Sequence, residues 1–217
     1  SISLDRRISN MKQVLYISLI CLGFAGGVIS SVTAGDRFDE VKKKLAEADC
    51  IQLEFLSIVE SDIFDVVDTV TGEAVLAADG RYRVDIGSDQ YLYDLENLYS
   101  YSAANNQVTV ERRAPGQAYV QEVSFLVRLD ELYKSHILKP GSAYRLVRRT
   151  QEARGVPDSL VLAMTEDSLA VRSIEYYDIN EELNRLVFLD QEFSNKPCPD
   201  SAFEPAYPDS VEIIELF

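Results

Sequence analysis

His136 is the only histidine in the sequence, so a Ser-His-Asp or Cys-His relay would have to run through it. It closes an apolar-periodic stretch at Lys134-Ser135-His136, where a cation complements a helix C-terminus rather than activating a nucleophile. The sequence holds no Gly-x-Ser-x-Gly elbow, no Gly-rich phosphate loop, no His-x-x-x-His pair and no Cys-x-x-Cys. Carboxylates do stand close together, as in Asp62 with Asp65 and Glu181 with Glu182. Among 36 acidic residues such neighbours arise by chance, and these pairs lie in polar stretches that read as solvated loops rather than glycosidase or calcium sites. The residue types point away from catalysis: no catalytic residue and no metal ligand are expected.

Aromatic residues offer more. Tyr91, Tyr93, Tyr99 and Tyr101 are spaced by two within QYLYDLENLYSYS, so on strands each pair shares a face. Such a series either packs across strands in a filled core or forms a wall against which acyl chains can lie.

The elements that position these residues follow from periodicity. Residues 36 to 48 place Phe38, Val41, Leu45 and Ala48 at intervals of three and four behind a capping Asp36, which predicts an amphipathic helix with Lys42, Lys43 and Lys44 in water. The period then changes to two: Ile51, Leu53 and Phe55 alternate with polar residues, as do Tyr82, Val84 and Ile86. The pattern continues through QVTVERR, YRLVRR, SLVLAMTE, VRSIEYYDI and RLVFLDQEFS. Turn signals separate these runs at Thr71-Gly72, Asp79-Gly80, Asn105-Asn106, Pro140-Gly141, Gly155 to Asp158 and Asn180. One interruption, SFLVRLDELYKSH at 124 to 136, gathers Phe125, Leu126, Leu129, Leu132 and Tyr133 on one helical face, with Ser124 as a cap. The fold class is therefore α+β, mostly β: an antiparallel meander curled into a barrel or strongly bent sheet, with two amphipathic helices that need its apolar face. A filled interior makes a plain structural domain, whereas a partly hollow one turns the helices into a lid over a greasy cavity.

The chain has 217 residues, a formal net charge of -15 and 47% hydrophobic residues. That composition buries a real core and repels nucleic acid and anionic headgroups alike. From Met11, a lysine precedes an apolar run that ends at Val32-Thr33-Ala34, the three-part form of a secretory signal peptide. Residues 1–34 are accordingly read as upstream residues and a cleaved signal peptide starting at Met11, and 35–217 as a single domain. Ile20 precedes Cys21 where lipoprotein processing requires a small residue, so Cys21 is read as part of the removed segment. Cys50 and Cys198 remain, a candidate disulfide in an oxidising compartment that would tie the start of the first strand to the end of the last.

In order along the chain stand Phe38-x-x-Val41-x-x-x-Leu45, Ile51-x-Leu-x-Phe55, Gly72 and GRYRV at 80 to 84. LYSY at 98 to 101, QVTV at 107 to 110, Phe203-x-Pro205 and Glu212-Ile213-Ile214 follow. This series resembles the LolA family of outer-membrane lipoprotein carriers over nearly all of the chain beyond the export segment. The resemblance implies an unclosed β-barrel under a helical lid, a periplasmic monomer and no cofactor. Acyl chains of a lipoprotein or other lipid would pass from an inner-membrane ABC release complex to an outer-membrane acceptor, with only transient membrane contact. It implies a cavity lined by Leu53, Phe55, Val75, Tyr82, Val84, Tyr93, Tyr101 and Val110, and a lid carrying Phe38, Val41, Leu45, Phe125, Leu126 and Leu129. The sequence departs from the family in one place. Where the carriers have an Arg tied to lid opening, this chain reads Ala77-Ala78-Asp79-Gly80, leaving Arg81 or Arg83 as substitutes. The alternative reading is a LolA-like lipid-sensing or protein-interaction domain of the envelope without a transport role.

Overall fold

Side-chain alternation carries from Cys50 to Leu216 and assembles a single sheet. The computed structural model describes residues 34–61, 65–113, 123–150, 156–178 and 180–216. Residues 1–33, on which the expected signal peptide falls, lie outside these residues, as does Asp62. The strands are β1 (Cys50–Ser61), β2 (Val66–Ala77), β3 (Tyr82–Ile86), β4 (Asp89–Tyr93), β5 (Asn97–Ser102) and β6 (Gln107–Arg112). After the helical interruption come β7 (Tyr133–Lys139), β8 (Ala143–Arg148), β9 (Ser159–Met164), β10 (Val171–Tyr177), β11 (Leu183–Ser194) and β12 (Glu212–Leu216).

They hydrogen-bond in the order β12-β6-β5-β4-β3-β2-β1-β11-β10-β9-β8-β7, so β12 and β7 are opposite edges and the curved sheet is not closed. The long strands β1 and β11 lie at its centre, paired from Cys50 opposite Ser194 to Glu60 opposite Leu183, with an irregularity between Glu54 and Phe55. The meander is antiparallel except at one edge, where β12 runs parallel to β6. That pairing corrects the purely antiparallel expectation: the chain returns along the outside of the sheet after β11 instead of ending there.

Helix α1 (Ala34–Glu47) forms where the three-four spacing predicts it and buries Phe38, Val41 and Leu45. The second predicted helix is shorter than expected. Ser124–Arg128 form a 3-10 helix with Val123 at its N-cap and no side-chain cap, and α2 spans only Leu129–Leu132. Tyr133 then turns extended and the chain enters β7, which pairs with β8. Ladder hydrogen bonds to YRLVR outweigh the helical periodicity here, and buried Tyr133 donates its hydroxyl to the Pro157 carbonyl. His136 is consequently an exposed strand residue opposite Arg145, not a helix terminus.

Thr71-Gly72, expected as a turn, lies inside β2. Gly72 is opposite Phe55 in the β1–β2 ladder, and a Cβ built on it would sit 2.4 Å from the tip of the Phe55 ring. The glycine thus makes room for a cross-strand aromatic rather than for a reversal of the chain.

Candidate functional site

Ladder register assigns every strand residue to one of two faces. Ile51, Leu53 and Phe55 face the same side as their partners Leu76, Ala74 and Gly72, and this face continues through Tyr82, Val84 and Tyr93. On the other half of the sheet it continues through Phe188, Leu186, Ile174, Leu162 and Tyr144. These side chains and those of α1, the 3-10 helix and α2 form one buried apolar cluster. Of the residues expected to line a cavity, Leu53, Phe55, Tyr82, Val84 and Tyr93 meet there. Of those expected on the cover, Phe38, Val41, Leu45, Phe125, Leu126 and Leu129 all do.

The cover is thus seated, its side chains filling the concave face. Phe38 stacks on Tyr144 with ring centroids 4.4 Å apart, and Phe125 meets Tyr133 edge-on at 6.1 Å. Polar attachments sit at the margins. Arg37 donates to the carbonyls of Thr165, Glu166 and Ser168 in the turn between β9 and β10. Lys42 bridges Asp39 of its own helix and Asp130 of α2, each at 2.8 Å, and so holds the two parts of the cover together. Lys44 lies 4.0 Å above the Phe193 ring. Of the three lysines read as solvated, Lys43 and Lys44 are exposed, Lys43 beside Glu47 at 3.8 Å, and only Lys42 is half-buried.

Three expected cavity residues are elsewhere. Val75 packs on the convex face against Cys50, Ala77, Cys198 and Phe203. Tyr101 and Val110 face that side too, opposite Val108 and Tyr99, and the Tyr101 ring lies 5.4 Å from Tyr207. A register of period two decides this: counting from Tyr82, Val75 stands opposite Arg83 rather than beside Val84. The tyrosine series therefore splits between faces, Tyr91 and Tyr93 inward and Tyr99 and Tyr101 outward.

The segment from Cys198 to Tyr207 is what makes the outer face apolar. A disulfide joins Cys50 to Cys198, with Cα atoms 5.0 Å apart and 148 residues of sequence separation. It ties the start of β1 to the arm that follows β11. Phe203 is buried beneath the Arg81 guanidinium, 4.6 Å from the ring centroid. Arg81 also binds Asp79 and Asp200, while Arg83 binds Asp85 on the same outer face. Neither arginine reaches the cover.

Burial perturbs the tyrosines most. Tyr82 is raised well above the usual phenol range by burial, and its hydroxyl has no hydrogen-bond partner. Tyr133 is raised for the same reason, and Tyr207 is pushed up to about 12. Among the described residues no group of three His, Cys, Asp or Glu side chains could hold a metal ion. No helix of the described residues is long and apolar enough to cross a membrane. Sequence reasoning missed Tyr144, Ile174, Leu186 and Phe188 as partners of the cover, although the alternation in YRLVRR, VRSIEYYDI and RLVFLDQEFS marks them.

No family model matches the chain, and no curated protein matches it in sequence. Solved structures do. The chain is similar to an uncharacterized conserved protein from Thermus thermophilus, at 14% identity and a TM-score of 0.46, covering 84% of this chain and 99% of that one. It is similar to a LolA superfamily protein from Nitrosomonas europaea, at 11% identity and a TM-score of 0.45, covering 81% and 99%. It is also similar to a chain of the MucA/MucB complex of Pseudomonas aeruginosa, at 15% identity and a TM-score of 0.41, covering 79% of this chain and 61% of that one.

Proposed function

We propose that the protein is a periplasmic carrier, exported by its N-terminal segment, that accepts acyl chains of a lipoprotein or another lipid beneath its helical cover and delivers them toward the outer membrane. It works without a cofactor and without catalysis. The observation that carries this reading is the way the cover is held. Phe38, Val41, Leu45, Phe125, Leu126 and Leu129 contact the concave face through apolar groups, whereas the polar links of Arg37 and Lys44 lie at the rim. Lifting the cover exposes apolar surface that an acyl chain covers again, so exchanging one for the other is close to neutral. Exposing a sixteen-carbon chain to water would instead cost on the order of 10 kcal/mol. Transfer then requires only that successive binding sites differ in affinity.

Native mass spectrometry of the protein with a synthetic triacylated lipopeptide tests the proposal. A one-to-one adduct competed by a free fatty acid is expected. A clean apo mass at high lipopeptide concentration would reject the carrier and leave the interaction-domain reading in its place.

A further inference from the structure

The acidity of the chain is unevenly spread. Residues 133–150 contain Lys134, Lys139, Arg145, Arg148 and Arg149 and no acidic residue, in a chain of net charge -15. They build the hairpin of β7 and β8 at one edge of the sheet. Among the described residues, Glu131 is paired with Arg128, Asp130 with Lys42 and Asp158 with Arg148. Lys134, Lys139 and Arg145 are exposed and have no ion-pair partner among the described residues. Beside these cations lie Leu138, 54% exposed, and Val147, 38% exposed, whereas Ile137, also 54% exposed, is opposite Tyr144 and so on the other face of the hairpin.

Protection of a sheet edge against aggregation explains lysines on an outermost strand. It does not explain Arg145, which stands on the second strand, nor the two apolar residues left at the edge, which work against such protection. We infer that the β7–β8 hairpin is a docking surface for an anionic phospholipid membrane, on which Lys134, Lys139 and Arg145 meet headgroups while Leu138 and Val147 enter the interface. Basic and apolar side chains intermixed in this way are the chemistry that an anionic lipid surface recognises. The negative charge of the rest of the molecule does not forbid it, because at physiological salt a charge is felt over only about 8 Å.

A second copy of the chain is the less fitting occupant. The opposite edge, β12, does carry Glu212 and Glu215, but the register of β7 is broken between Ile137 and Lys139, which interrupts any ladder added there. The hairpin also adjoins the cover through its other face, since Ile137 is opposite Tyr144, the residue that stacks on Phe38. Docking therefore brings a lipid surface beside the entry to the concave face. The docking itself stands apart from the carrier reading and is tested without any cargo.

Flotation of the protein with vesicles of phosphatidylcholine, alone or mixed with phosphatidylglycerol, is the experiment. The protein is expected to float with the mixed vesicles at near-physiological salt and to be released by molar salt. K134E/K139E/R145E should lower partition on the order of a hundredfold, roughly fivefold for each basic side chain. L138S/V147S should lower it while leaving its salt dependence in place. K134Q/K139Q/R145Q serves if charge reversal disturbs folding, which far-UV circular dichroism reports. Equal partition of the charge variants, or no flotation of the parent, overturns the inference. So does a triple variant that changes only binding to polyglutamate or only sedimentation-measured self-association, which would assign the surface to an acidic protein or to a second copy.

Discussion

Gly72 lies directly beneath the Phe55 ring on the concave face, and this contact yields a sharp test. A methyl group at residue 72 would lie 2.4 and 2.5 Å from two ring carbons of Phe55, well inside contact distance. Phe55 is fully buried and its ring also meets Phe188, at 6.2 Å between centroids, so the ring cannot move aside freely. Gly72→Ala should therefore cost about 1–3 kcal/mol, the usual range for overpacking a core. Phe55→Ala should cost about 3–5 kcal/mol, because it opens a cavity. The double variant is the informative one: without the ring the new methyl group meets open space and fills part of it. Urea unfolding of the four proteins should give a double variant more stable than additivity predicts, by at least ~1 kcal/mol, with similar m-values. Additivity to within ~0.5 kcal/mol would show that the ring does not lie over residue 72, and the register that places Phe55 on the concave face would fall with it.

Leu129→Asp puts a carboxylate where a leucine is 4% exposed. Binding of a fluorescent fatty acid should weaken at least tenfold while the far-UV strand signal is retained, because an acyl chain beneath the cover would lie against an unpaired carboxylate, which costs several kcal/mol. Replacing Cys50 and Cys198 with alanine releases a loop closed over 148 residues. It should lower stability by up to about 5 kcal/mol, and an unchanged urea midpoint would contradict this. Alkaline pH should unfold the protein through its buried tyrosines. Tyr82, Tyr133 and Tyr207 hold their protons more tightly in the folded state, Tyr207 up to about 12, so stability is full below the unfolded phenol value near 10 and is lost as pH rises from there through the folded values. Absorbance near 295 nm should show three tyrosines that titrate only as the protein unfolds.

Some of this was legible in residue order alone. Phe38, Val41 and Leu45 form a helical stripe by spacing, and each is buried against the sheet. Alternation in β1 and β3 placed Leu53, Phe55, Tyr82 and Val84 together, because a period of two is a local property. Register between strands is not local. Val75, Tyr101 and Val110 each fit an alternating pattern, yet only the pairing with β3 and β5 sets which side each one faces. Thr71-Gly72 carried a turn signal, and only the Phe55 ring across the ladder shows why a glycine belongs in a strand there.

The stretch after Ser124 makes the same distinction. Its apolar spacing suits a helix through His136, but β8 offers Tyr133 to Lys139 a hydrogen-bonded partner that no local pattern reveals. Composition and periodicity determined that this chain is a strand-rich body with amphipathic helices to bury, since those follow from neighbours three, four or two residues apart. Tertiary structure alone decided which face is concave, that the C-terminal arm covers the other face through Cys198, Phe203 and Tyr207, and that Lys134, Lys139 and Arg145 gather on one edge. The arm's placement rests on contacts between residues a hundred or more positions apart, whose energies do not exist until the sheet has formed beneath them.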